Sequence, residues 1–193
     1  MSGLHQMLGQ LLQPETVHRV SDETGLPPDA ASSLVRAALP LLVGGLARNA
    51  QRSEGAGALA SALQRDHDGS VLDDIAGFLG SGQAPSAGAG ILGHVFGGRT
   101  DVIATALARS AGVDAGQAQQ VLAMLAPLVL GALGRATRQE QLGPDGLAER
   151  LQQERQQLPG GSQLGGLLTG LLDQDGDGSV MDDLADIAKR FMS

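Results

Sequence analysis

The chain has no cysteine, no tryptophan and no tyrosine, and only three phenylalanines in 193 residues. Without Cys there is no disulfide scaffold, no thiolate metal site and no thiol nucleophile. So few aromatic side chains leave no platform on which bases could stack. Basic residues are scarce too. Thirteen Lys and Arg face 21 Asp and Glu, a formal charge of −8, which argues against a general phosphate-binding face. Residues 1–6 have neither the basic nor the apolar stretch of a secretory leader. The longest apolar runs, 37–47 and 122–134, contain Pro and Gly and fall short of the ~20 residues of a membrane helix. These absences lead to an expectation of a cytoplasmic protein with no nucleic-acid partner and no membrane partner.

What is present is aliphatic and glycine-rich, with 42% hydrophobic residues and 29 Gly. That is enough apolar matter for one or two domains with a real core. The negative charge is not spread evenly. Ten of the 21 acids fall in two segments, 66–74 and 173–186, neither of which holds a Lys or Arg. Outside them 11 acids face 13 bases, so two acidic spots sit on a near-neutral body.

The chain also repeats itself. Residues 20–48 shifted by 87 lie on 107–135 with seven identities: Gly25, Ala31, Pro40, Leu41, Gly44, Leu46 and Arg48 recur as Gly112, Ala118, Pro127, Leu128, Gly131, Leu133 and Arg135. The pattern Asp-x-Asp-Gly-Ser-Val-x-Asp-Asp occurs at 66–74 and again at 175–183. Apolar spacing is helical throughout, as in Leu34, Val35, Ala38, Leu39 and Leu42. Gly25 and Gly112 read as helix stops, and Pro40 and Pro127 as kinks or breaks within long helices. The expected fold class is all-α, a multihelical array of short helices made by internal duplication, with EF-hand-like Asp loops. The expected division is 1–80, an N-terminal helical repeat with a degenerate Asp loop; 81–90, a Gly/Ser/Pro linker; and 91–193, a C-terminal repeat with a Gln-rich insertion. One interlocked domain is the alternative.

The segment 173–183 carries the strongest chemical signal. Asp173, Asp175 and Asp177 occupy positions 1, 3 and 5 of an EF-hand loop, and Gly178 takes position 6. Calcium wants six to eight oxygens, and alternate Asp residues on a tightly curled loop turn three carboxylates inward. The Ser179 carbonyl can add an oxygen. Position 12 is Leu184 rather than the usual Glu, so Asp182 or Asp183 would close a shortened loop. The cofactor expectation is Ca2+ on Asp173, Asp175, Asp177, Ser179, Asp182 and Asp183. A competing reading needs no metal: Ser179 and Asp182 also form a helix-capping pattern, and Ser70 with Asp73 repeats it. In the first copy Gln64 replaces the first acid, and Asp66, Asp68 and Asp74 read as a cap-and-turn relic.

Other motifs lack the context their chemistry needs. Gly88, Gly90 and Gly93 spell GxGxxG, but no strand precedes them. His5, His18, His67 and His94 never pair at helical spacing, so no zinc motif forms. His67, between two Asp, reads as solvated, and His94, beside Val95 and Phe96, as packed. There is no nucleophile elbow and no phosphate loop. No catalytic residue is assigned and no small-molecule substrate suggested. Metal-dependent hydrolysis would rest on an acid cluster lacking both nucleophile and His.

The ordered set 38–42, 66–74, 90–99 and 124–129 with the terminal Asp-rich loop resembles the bacterial YidB-like family, a domain of unknown function, over essentially the whole chain. The resemblance implies a multihelical array of short helices and no activity. The expected protein is therefore non-enzymatic and helical, with a calcium loop near its C-terminus. The alternative is a metal-independent scaffold that self-associates, or meets a protein partner, through its helical faces.

Overall fold

The computed structural model describes residues 3–158. They form nine α-helices and no strand: α1 Gly3–Gln10, α2 Pro14–Thr24, α3 Pro28–Ala50, α4 Ser53–Arg65, α5 Ile75–Gly80, α6 Ala84–Phe96, α7 Thr100–Ala111, α8 Ala115–Gln139 and α9 Pro144–Gln157. Local chemistry sets many of the ends. Pro14, Pro28 and Pro144 open their helices, where the missing N–H costs nothing. Asp114 caps α8 in a reciprocal box with Gln117. Gly25 and Gly112 end α2 and α7 at φ 67° and 68°, a conformation costly for any residue with a Cβ.

The long helices α3 and α8 are the frame. Leu34, Val35, Ala38 and Leu39 of α3 are buried, and so is nearly every residue of α8 from Val121 to Leu133. The helices α6, α7 and α1 pack on α8, α9 packs on α3 and α4, and α5 packs on α2. One continuous apolar core runs from Leu4 on α1 to Leu158 beyond α9. It holds side chains from both sides of the expected 81–90 boundary.

Three expectations change. Most of 81–90 is not a linker, because α6 begins at Ala84. Its small residues serve close packing: Ala84 and Gly88 are buried, and a Cβ on Gly88 would overlap the Ala123 carbonyl of α8. Pro40 and Pro127 do not divide their helices. Both are buried, so the packing around them holds the chain helical despite one missing hydrogen bond each. Finally, α3 and α8 reach 23 and 25 residues, long and apolar enough to cross a membrane by length and composition alone. Counting only unbroken apolar runs missed this, since polar residues extend both helices. Of the most apolar stretch, 89% is buried in α8 and 61% in α3, as in the core helices of a folded domain.

Candidate functional site

The expected calcium ligands Asp173, Asp175, Asp177, Ser179, Asp182 and Asp183 lie outside the described residues. The described copy of the motif, 66–74, shows what its acids do when a protein surrounds them.

The backbone N–H of Asp66 closes α4 on the Ala62 carbonyl. Asp68 then accepts from the Ser70 N–H at 2.9 Å and the Ser70 hydroxyl at 2.6 Å. Both bonds favour the ionised form, so they hold its carboxyl below the usual carboxylate range, the hydroxyl bond contributing most. Gly69 turns the chain at φ 84°, and Ser70–Leu72 makes one 3₁₀ turn that buries Leu72. Asp74 caps α5 by accepting from the Gly77 N–H at 2.8 Å. Asp68 and Asp74 therefore do act as the turn and cap acids that the sequence suggested, whereas the Ser70 and Asp73 capping pattern does not form. Asp68 thereby satisfies both the N–H and the hydroxyl of Ser70 with one carboxylate oxygen.

Asp73 is thereby left for a different partner. Arg135, near the end of α8, donates from Nη2 to Asp73 Oδ1 at 2.7 Å and to the Gly69 carbonyl at 2.5 Å. One cation thus joins a carboxylate to the turn's own backbone. Sequence reading recorded Arg135 only as the repeat of Arg48. The signal that could have revealed its role was the same recurrence, a lone cation shared by two helices in a chain with two base-free acidic loops.

The loop lies flat on α8. A Cβ on Gly131 would come within 2.5 Å of Val71, and one on Gly134 would overlap the His67 carbonyl. His67 is therefore partly buried rather than solvated. Burial disfavours its charged form and lowers its pKa, with the Asp66 charge opposing. His94 goes the other way: it is exposed, and its Nδ1 donates back to the Gly90 carbonyl at 2.8 Å. The GxGxxG at 88–93 lies inside α6, where it can hold no phosphate loop. Among the described residues no group of three or more His, Asp or Glu side chains could hold a metal.

Fold and loop together define a class: an all-helical protein in which an Asp-rich turn is clipped to a long core helix by an arginine. The chain belongs to the family of bacterial proteins of unknown function, DUF937, which matches residues 6–136. The YidB-like resemblance is consistent with it. No curated protein and no solved structure matches the chain.

Proposed function

We propose that this chain is a non-enzymatic, cytoplasmic helical module whose Asp-rich motifs pin turns onto its frame, and whose C-terminal motif also takes up calcium. The observation that carries the reading is how the acids of 66–74 are engaged. Asp68, Asp73 and Asp74 each have a protein donor, and the first loop position is the neutral Gln64. The C-terminal copy puts Asp173 at that position. With Asp175 and Asp177 it offers three alternate carboxylates, the Ser179 carbonyl a fourth ligand, and Asp182 or Asp183 a fifth. Flexible loops with several carboxylates suit calcium better than the strict octahedron of magnesium.

Titration of calcium into EDTA-treated protein tests this by heat and by melting temperature. A site with free calcium at 100 times its Kd adds ~2.7 kcal/mol of stability. Asp175→Asn with Asp177→Asn should abolish that gain, whereas Asp68→Asn should leave it in place. No heat and no shift at millimolar calcium would remove calcium from the proposal.

The hydrogen bonds of 66–74 also support a second reading, in which both motifs are only clips and the chain is a metal-independent scaffold that self-associates. Light scattering with and without EDTA separates the two, since an oligomer indifferent to EDTA belongs to the scaffold.

A further inference from the structure

Residues 66–80 cross two helices. The turn lies on α8 at Gly131, Gly134 and Arg135, and α5 lies on α2, where a Cβ on Gly80 would meet Glu23 and Arg19. At the 87-residue offset α8 answers to α3, and α2 to α7. Buried positions agree, with Val20 on Leu107, Leu34 on Val121 and Ala38 on Leu125. The contacts agree as well: α2 touches α8, and α3 touches α7. The pair α3–α7 is thus the counterpart of the pair that carries 66–80.

On that counterpart, among the described residues, the matching seat is open at Gly44 and Arg48, both partly exposed, whereas Ala47, the match of Gly134, is buried. Gly131 has Val71 within 2.5 Å of its Cβ position, but Gly44 has only Arg155 Cδ, at 3.9 Å. Arg48, the match of Arg135, forms no hydrogen bond or ion pair with a described residue and is partly exposed. On α7, Val102 is 44% exposed, the most exposed large apolar side chain among the described residues.

We propose that the chain's own C-terminal segment, 173–189, docks across α3 and α7 as 66–80 docks across α8 and α2. The chain leaves α9 beside this seat, two residues after Arg155. Fifteen residues, 158–172, lie between Gln157 and Asp173, a reach of up to ~50 Å when extended. The charges are complementary, with six Asp and no base in 173–186 facing Arg48. Asp182 stands where Asp73 does, and is thereby the partner of Arg48. Leu184, Ile187 and Ala188 repeat the apolar positions Ile75, Phe78 and Leu79 of α5, which suits them to the α7 face. One position differs. Ala47, buried at 0% exposure, replaces Gly134, so the turn must pass over it and rest on Gly44 and Arg48, and Gly176 in place of His67 gives the backbone freedom to do so.

The absence of cysteine makes the test direct. A nitroxide on Ser193→Cys in the full-length 15N-labelled protein should broaden the amides of Ala106, Ser110 and Arg48. The measurement is made in EDTA, so a failure of calcium binding does not touch it. Arg48→Glu should abolish the broadening, and adding Asp182→Arg should restore it. Broadening on another face, or none, overturns the proposal. So does broadening seen only between labelled and unlabelled copies, which would make the occupant a second chain.

Discussion

Arg135 meets two acceptors of unlike value. Its side chain is 30% exposed and that of Asp73 is 69% exposed, so their ion pair is screened and worth at most ~1 kcal/mol. The Gly69 carbonyl sits in a buried residue, and a charged donor to it contributes about 1.5–3 kcal/mol. Arg135→Met should therefore destabilise by about 2 kcal/mol and Asp73→Asn by less than about 1 kcal/mol in urea melts. Equal losses would mean that the ion pair, not the backbone clip, holds the turn. His67 gives a second prediction. Its pKa is lowered on folding, so the unfolded chain binds the proton better. The stability it contributes is complete above its ordinary value of 6.5 and is lost as pH falls through the folded value. His67→Gln should narrow the gap between melting temperatures at pH 7.5 and 5.5. A gap unchanged by the substitution would assign the acid sensitivity elsewhere. At this scale the sequence marked the acids but not their partners, because Arg135 is 62 residues from Asp73 and only the fold brings them together.

The element scale was the more legible one where side chains repeat at helical spacing. The long apolar stripes and the stops at Gly25 and Gly112 carry α2, α3, α7 and α8 on their face. α6 was hidden because Gly, Ala and Ser, taken as composition, describe a linker, and only a neighbouring helix turns them into a contact surface. Two glycines of α6 separate these meanings. Gly90 has nothing within 4 Å of its Cβ position, whereas a Cβ on Gly88 meets α8 backbone. Gly90→Ala should stabilise by about 0.5–1 kcal/mol through helix propensity alone. Gly88→Ala should cost about 1–3 kcal/mol, since α6 must shift off α8. Calorimetry of the two variants checks this. Destabilisation by both in equal measure would mean that α6 does not depend on that approach.

On the scale of the molecule, the repeat suggests two halves, while the core joins them. Side chains of α3, from the first half, and of α8, from the second, belong to one apolar cluster. Leu39 and Leu125 are 1% and 0% exposed within it. A shared core couples the halves, because neither can open without exposing the other's apolar face to water. Leu39→Ala and Leu125→Ala should each cost about 2–5 kcal/mol. In a chain of this size each kcal/mol lowers the melting temperature by ~2–4 °C, so either variant should move the whole transition by several degrees. With no Tyr or Trp to report on one half, scanning calorimetry is the suitable probe. Its enthalpy should equal the van't Hoff value for the parent and both variants. Two resolved transitions, with each variant lowering only one, would mean that the halves fold separately and that the α3–α8 contact is a docking surface between domains rather than their common core.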